Sequence, residues 1–195
     1  MKEHFEKEVW RGGNMLYPLP AVIVSCGAYA DGDTSRSNLI TIGWTGTACS
    51  DPPMTYVSIR KERYSHDIVD AQGEFVINLV SEDLARACDF CGVASGRDTD
   101  KWQAAGLTPL PASRVSAPLI AESPVSLECK VTQKLELGSH DMFLAEIVAV
   151  DVARDLLDEK GRFRLEDARL ISYLHGQYYS LGEELGRFGF SVKKK

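Results

Sequence analysis

The stretch that decides the fold covers residues 38–53 and reads NLITIGWTGTACSDPP. Its first half alternates apolar and polar residues, which is typical of a β-strand with one buried face. Its second half, Thr45 to Ser50, contains only small residues and ends at a double proline. Small side chains leave backbone amides and hydroxyls accessible, so a flat ligand can lie against such a chain. A β-bulge or a barrel corner is the alternative explanation, because small residues also permit a sharp bend.

The next segment adds positive charge to an acidic protein. After the strand-like run MTYVSI come Arg60, Lys61 and Arg63, in a chain whose net charge is -6. Tyr64 and Ser65 follow at a predicted helix start, where backbone amides favour anions. Cations beside a helix N-terminus suit a phosphate monoester, and a solvated charged loop is the alternative. Together the two segments offer a slot for a flat ring and a clamp for a phosphate, and FMN carries both groups.

Patterns in the rest of the chain predict a mainly β protein with inserted helices. Irregularly spaced strands with two or three helices indicate an α+β domain centred on a β-barrel, not alternating βαβ units. No GxGxxG motif follows a strand, so a Rossmann site is not supported. The predicted strands are 21–28, 38–45, 54–59, 74–79, 126–133, 141–152, 171–174 and 177–181, and the predicted helices are 65–71, 81–91 and 100–105.

Composition limits the class of protein. With 195 residues, 44% hydrophobic and 26% charged, the chain is expected to form a single domain over residues 1–195, with a core at about 15–155 and a C-terminal extension at 156–195. The acidic balance argues against nucleic-acid binding, and the basic cluster at Lys193 to Lys195 is expected to be a solvated end. No apolar run reaches the roughly 18 residues of a membrane helix. The charged N-terminus lacks a signal core, so we predict a cytoplasmic protein.

Five cysteines without a signal peptide indicate free thiols in a reducing compartment. Cys88 and Cys91 form a CxxC motif on a predicted helix, where residues three apart share a face. Three interpretations remain open: two small packing residues, a redox dithiol, or half of a metal site. We favour packing and predict no metal, because the chain offers no second CxxC and no paired histidine motif.

The order of these features resembles the flavin reductase-like, FMN-binding split-barrel family, especially its flavoredoxin branch. The resemblance implies a six-stranded split β-barrel, a homodimer, and non-covalent FMN near the subunit interface. The matching pieces are residues 38–59, NLITIGWTGTACSDPPMTYVSI; 63–69, RYSHDIV; 73–85, GEFVINLVSEDLA; 138–150, GSHDMFLAEIVAV; and the ending at 178–191, YYSLGEELGRFGFS.

The same resemblance implies which residues hold the flavin. One group runs beside the isoalloxazine and ribityl parts, a second binds or neighbours the phosphate, and a third borders the ring. In that order the groups are Thr45, Gly46, Thr47, Ala48, Cys49 and Ser50; Arg60, Lys61, Tyr64 and Ser65; and Asn78, Leu79 and Val80.

Two further residues are open to two interpretations each. His140, in the run Gly138-Ser139-His140, is implied to lie on the nicotinamide side, where it hydrogen-bonds the dinucleotide or steers protonation. Its alternative is a loop histidine without a role. Trp102, after the polar loop SGRDTD, either leans over the flavin or anchors a short helix on the surface.

The resemblance implies a flavoprotein oxidoreductase, and two functions follow from it. In the first, NAD(P)H is the co-substrate and the protein reduces bound FMN by hydride transfer, after which the reduced flavin serves an acceptor. In the second, the protein is a flavoredoxin-like electron carrier that receives electrons from a protein partner and has no NAD(P)H site. A split-barrel scaffold that has lost its flavin is a third, more remote possibility.

Overall fold

Strands outnumber helices in the fold, and the helices interrupt them at intervals. The computed structural model describes residues 6–192, so the predicted solvated end at residues 193–195 lies outside the described residues. The strands β1 to β12 are Leu19–Pro20, Val22–Gly27, Ser37–Ile42, Thr45–Ser50, Pro53–Arg60, Glu74–Leu79, Pro109–Leu110, Leu119–Ile120, Val125–Leu137, His140–Val152, Ile171–Leu174 and Gln177–Ser180. The α-helices α1 to α3 are Tyr64–Gln72, Ala85–Val93 and Lys101–Ala105. The predicted α+β class with a majority of strands is confirmed.

The main sheet is antiparallel and has seven strands in the order β3-β2-β6-β9-β10-β5-β4. The prediction was six strands. Residues 45–50 add a strand of their own, because β3 ends at Ile42 and β4 then pairs with β5 after a turn at Gly43 and Trp44. Two smaller sheets, β1-β11-β12 and β7-β8, complete the architecture.

Apolar side chains on both faces of β2 and β3 form the core. Because side chains alternate along a strand, Val24 and Ile40 join one cluster while Ile23 and Leu39 join another. The first cluster packs beneath α1, through Val69. The second lies beneath α2 and α3 and includes residues of the β1-β11-β12 sheet. Strand β3 therefore lies between α1 on one face and α2 and α3 on the other, and the start of α1, the end of α2 and the start of α3 meet at one cavity beside it.

The predicted helices are confirmed with shifts at their ends. α1 begins after Arg63, which makes no side-chain capping hydrogen bond, and it ends at Gly73 in the left-handed conformation, with φ of 70°. A short 3-10 turn, Glu82–Leu84, precedes α2. α3 is capped by Asp100, whose carboxylate accepts from the backbone N–H groups of Trp102 and Gln103. Between residues 6 and 192, no helix has both the length and the apolar character needed to span a membrane.

Candidate functional site

Two adjoining cavities lie above β3. The first, of about 380 Å³, is bordered by Trp44, His140, Tyr173 and Tyr178, and we name it the aromatic cavity. The second, of about 330 Å³, we name the basic cavity, because its lining includes Arg63, Arg97 and Lys101. Ile40 and Arg63 line both, so the two cavities share a boundary. The remaining residues of the basic cavity include Asn38, Glu62, Tyr64, Ser65, Ala94, Ser95 and Gly96.

The floor of the aromatic cavity is the end of β3 and the turn after it, residues 40–44. At one side the Trp44 and His140 rings meet edge to face, with centroids 4.5 Å apart. His140 begins β10 and pairs across the sheet with Arg60 at the end of β5, so strand register brings both side chains to this cavity. Burial, and then the nearby Arg60 charge, lower the pKa of His140. The imidazole is therefore mostly neutral at pH 7, and its Nδ1 lies 2.9 Å from Ser139 Oγ.

The opposite wall comes from α2 and the β11-β12 hairpin. Tyr173 and Tyr178 pack with their ring centroids 5.5 Å apart, and the Tyr178 hydroxyl donates to Asp89 Oδ1 at 3.3 Å. Helix α2 approaches β3 closely at Gly92, where an added Cβ would lie 3.2 Å from Thr41 Cβ. The result is a narrow space with one apolar strand below it and aromatic rings at its sides, which suits a flat ring.

A buried ammonium group defines the basic cavity. Lys101 is only 4% exposed, and its Nζ donates to the carbonyl oxygens of Leu39 at 2.7 Å and Cys91 at 2.9 Å. Among residues 6–192 no carboxylate forms an ion pair with it. Burial lowers its pKa, because the charged form loses hydration. An ammonium has three N–H donors, so one remains for an anion in the cavity.

The other walls of the basic cavity also favour an anion. Ser65 lies in the first turn of α1, and its Oγ accepts from Asn38 Nδ2 at 2.8 Å. The residue before α1 supplies no side-chain cap and His66 N donates to Arg63 O, so the backbone N–H groups of Tyr64 and Ser65 remain available. Gly96 lies directly against Asn38, where an added Cβ would be 2.2 Å from Asn38 Oδ1. Arg97 is held over the Tyr64 ring, 5.3 Å from its centroid. This donor set fits a phosphate monoester.

Four of the predicted site residues line these cavities. Arg60 and His140 border the aromatic cavity, and Tyr64 and Ser65 border the basic cavity. Lys61 does not join them. Its Nζ lies 3.3 Å from Asp141 Oδ1 and 3.8 Å from Glu136 Oε2, outside both cavities.

The small-residue run Thr45 to Ser50 lies on the outermost strand of the main sheet, away from both cavities. The pairing of β4 with β5 shifts register between Thr47 and Cys49, so the structure shows the β-bulge that was the alternative explanation. An added Cβ on Gly46 would lie 3.4 Å from the Tyr56 ring, and this packing accounts for one small residue. The residues that do line a cavity come just before the run, and contact of the run with a flavin stays a prediction.

The predicted ring-border residues line neither cavity: Asn78 and Val80 are buried, and Leu79 is partly buried. The Asn78 amide uses its groups within the core, donating to Ile23 O and Ser25 Oγ, each at 3.1 Å, and accepting from Ile120 N at 3.0 Å and Ser126 Oγ at 2.7 Å. Leu79 and Val80 pack in the two apolar clusters, outside both cavities.

Trp102 occupies the anchoring position that was one of its two interpretations. Its ring is buried in the cluster under α2, and its Nε1 donates to Ser37 Oγ at 3.0 Å. It lines neither cavity.

The two thiols of the CxxC motif face the core. Cys88 and Cys91 are fully buried, and burial raises their pKa values to about 12 and about 11. Thiols that resist ionisation react slowly, so the geometry supports the packing interpretation. The same helix turns Asp89, Gly92 and Val93 toward the aromatic cavity. Its contribution to the site is therefore these neighbours and not the thiols.

Comparison with known proteins places this site in a family. The family model described as flavin reductase like domain matches residues 14–182. Flavoredoxin of Desulfovibrio vulgaris (Miyazaki F) is 30% identical with a TM-score of 0.85, covering 96% of this chain and 100% of that one. A protein of Archaeoglobus fulgidus is 30% identical over 135 residues, which are 69% of this chain and 73% of the relative.

A split-barrel-domain protein from Shewanella frigidimarina has the same fold, with a TM-score of 0.75 at 22% identity, over 89% of this chain and 86% of that one. The split-barrel prediction and the flavoredoxin resemblance are thus confirmed. These relatives support a flavin-related oxidoreductase or electron carrier. The chain belongs to the flavin reductase-like family.

Proposed function

We propose that this protein binds FMN without a covalent bond and works as an NAD(P)H-dependent flavin reductase. The observation that carries the proposal is the buried Lys101 ammonium, which pairs with no carboxylate among residues 6–192 and lies in a cavity that adjoins a narrow aromatic one. A flat ring joined to a phosphate monoester matches that pair of cavities. Flavoredoxin of Desulfovibrio vulgaris, with 30% identity over its whole length, supports a flavin as the ligand.

The residues of the basic cavity would hold the phosphate. Lys101 and Arg63 supply positive charge, and the first turn of α1 supplies backbone N–H donors. Ser65 adds a hydroxyl that Asn38 already orients. Because Lys101 is desolvated before the ligand arrives, a phosphate that pairs with it restores interactions that burial removed.

The residues of the aromatic cavity would hold and orient the ring system. Ile40 and Trp44 offer apolar surface from β3 and its turn, and Tyr173 closes the opposite side. When bound, FMN would supply the redox chemistry, and the residues of this cavity would bind and orient its ring. The wall of α2 and the hairpin limits the access of water to this space.

His140 and Arg60 favour the reductase over the carrier. Arg60 is half exposed, and its ion pair with Glu62, at 3.5 Å, is weak. Its guanidinium is therefore available for the diphosphate of a dinucleotide. The neutral imidazole of His140 can donate or accept a hydrogen bond beside it. A carrier that exchanges electrons only with a protein partner has no need of these two groups at the mouth of the cavity.

We also propose that the protein acts as a homodimer. The segments before β1 and after β12 carry apolar side chains that the chain itself leaves in solvent, among them Trp10, Leu185 and Phe188. Segments that expose several large apolar side chains are typical of surfaces that a partner covers. Sedimentation of the purified protein tests this, and a monomer at micromolar concentration would contradict it.

Anaerobic reduction tests the reductase function. The purified protein, reconstituted with FMN, is mixed with NADH or NADPH while its flavin absorbance is followed. Prompt bleaching supports the reductase. If both nucleotides leave the spectrum unchanged while a reduced ferredoxin-like protein bleaches it, the carrier is the correct function. A protein that stays colourless after incubation with FMN and desalting would overturn flavin binding itself.

A further inference from the structure

A buried histidine–aspartate pair connects helix α1, which begins at the basic cavity, to strand β10, which begins at the aromatic cavity. His66 Nε2 lies 2.8 Å from Asp141 Oδ2, and both side chains are almost fully buried. His66 is in the first turn of α1, next to Ser65 of the basic cavity. Asp141 follows His140 of the aromatic cavity on β10. One hydrogen bond thus joins residues 75 positions apart in the sequence.

We propose that His66 and Asp141 are a positioning pair, which fixes the phosphate-binding end of the site relative to its ring-binding end. The proposal rests on the proposed FMN site. It assigns no contact with the ligand to either residue. Their role is to set the distance and direction between the first turn of α1 and the start of β10, so that the ring and the phosphate of one ligand meet both cavities at once.

The backbone alone fixes only part of this arrangement. Strand β10 is held to β5 by the sheet ladder, in which His140 pairs with Arg60 and Asp141 with Ile59. Helix α1 takes no part in that ladder, and in the apolar cluster it is held by Ile68 and Val69, beyond its first turn. Apolar packing is not directional. At the end of α1 where the anion would bind, direction comes from two hydrogen bonds: the one from Asn38 to Ser65 ties the helix to β3, and the one between His66 and Asp141 ties it to β10.

The surroundings of the pair favour a directional role over a stabilising one. The Asp141 carboxylate is 3% exposed, and its Oδ1 makes no hydrogen bond, although Lys61 Nζ approaches to 3.3 Å. The His66 ring packs edge to face on Phe143, with centroids 5.5 Å apart. Burying such a pair costs desolvation, and an apolar pair of similar volume is often as stable. The contribution that an apolar pair could not make is a fixed orientation.

The two halves of the ligand allow this role to be measured. FMN uses both cavities, whereas riboflavin has the same ring without the phosphate. We define the phosphate advantage as the Kd of riboflavin divided by the Kd of FMN. A residue that only stabilises the fold changes both Kd values together, or neither, at temperatures well below unfolding. A positioning pair changes their ratio.

The test compares variants by fluorescence titration of the flavin-free full-length protein with FMN and with riboflavin. For His66→Phe, which keeps the ring packing and removes the hydrogen bond, we expect the phosphate advantage to fall at least tenfold. Asp141→Asn keeps an oxygen acceptor for His66 and is expected to stay within threefold of the parent. The matched control is Asp70→Asn, which removes an exposed ion pair, at 2.7 Å, between the far half of α1 and Lys134 of β9, and should leave the ratio unchanged.

If His66→Phe does not fold, the double variant His66→Phe/Asp141→Leu replaces it, because it leaves neither partner buried alone. An unchanged phosphate advantage in the folded variant overturns the positioning role. The parent protein separates this failure from that of the proposed function. A parent that binds FMN no better than riboflavin refutes the phosphate site, whereas a large advantage that persists without the pair refutes only the pair.

Discussion

Replacing Lys101 with methionine tests the basic cavity most directly. Methionine has nearly the length of the lysine stem and no charge, so the side chain still fills the space beneath α2. The change removes the one buried cation of the cavity lining and its hydrogen bonds to Leu39 O and Cys91 O. We expect Lys101→Met to bind FMN much more weakly while its affinity for riboflavin changes little.

The size of the effect follows from burial. A hydrogen bond to a charged group contributes about 1.5–3 kcal/mol. Lys101 is 4% exposed, so solvent screens its charge little and the full range applies. Since each 1.4 kcal/mol is a factor of ten in Kd, the expected rise is about 10- to 100-fold for FMN. Riboflavin, which carries no phosphate, is expected to change by less than about threefold, because it loses no contact with the ammonium and responds only to any loosening of the β3 and α2 backbone.

Fluorescence quenching measures both affinities on the same preparation. The matched control is Lys130→Met, which removes a solvent-exposed lysine on β9, outside both cavities. The control should bind FMN as the parent does. Equal FMN affinity in Lys101→Met, with a normal circular dichroism spectrum, would show that the phosphate does not occupy the basic cavity. An equal loss of affinity for FMN and riboflavin would assign Lys101 a structural role instead.

Three further outcomes are expected. Burial lowers the pKa of Lys101 below 10.5, and a phosphate binds the charged form of the lysine, so FMN affinity should fall as the pH rises through that lowered pKa. This pH dependence should vanish in Lys101→Met. The same pH dependence in the variant would contradict the assignment of Lys101 to the phosphate. Gly96→Ala forces a methyl group against Asn38, so FMN affinity should drop at least tenfold by titration, whereas Gly182→Ala, with open space around its Cα, should bind normally. Cys88→Ser should lower the unfolding temperature, because it buries a hydroxyl at a cost of about 1–3 kcal/mol. The rate of anaerobic flavin reduction should stay within about twofold of the parent. A large loss of rate in the folded variant would restore the redox interpretation of the CxxC motif.

Local patterns were sufficient to predict most of the fold. Strand β3 was predicted from the alternation in residues 38–42 and strand β6 from the apolar run in residues 74–79, and both are buried in the main sheet. The turn at Gly43 and Trp44 was missed, because these two residues do not interrupt the strand-like alternation of the preceding residues, and Thr45 continues that alternation. The number of strands in the sheet depends on which strands pair across long distances, and no local pattern encodes that. Hence the class was correct and the count was six instead of seven.

The site was predicted less completely for a related reason. The site prediction was based largely on the cations after β5 and the helix start that follows them. Of the residues predicted there, Arg60 lines the aromatic cavity and Ser65 lines the basic cavity. The remaining parts of the basic cavity come from a loop and helix more than thirty residues later, at Gly96, Arg97 and Lys101. A signal was present in SGRDTDK, where a glycine and two cations occur within six residues, but its polar character equally predicts a solvated loop. Only the packing of α3 on β3, which buries Lys101, distinguishes the two.

The reductase and the carrier place different demands on the mouth of the aromatic cavity. A carrier needs an exposed ring edge and a surface that matches a protein partner. A reductase needs room and polar groups for a second ligand, with a negative diphosphate. Here the mouth has Arg60, whose charge is half exposed, next to His140, whose pKa is lowered by burial and by that same arginine. A bound diphosphate would offset the arginine charge and raise the pKa of His140 again, so dinucleotide binding should be accompanied by proton uptake. A carrier without a dinucleotide site would show no such uptake on adding NADH, and that difference separates the two functions even before any electron moves.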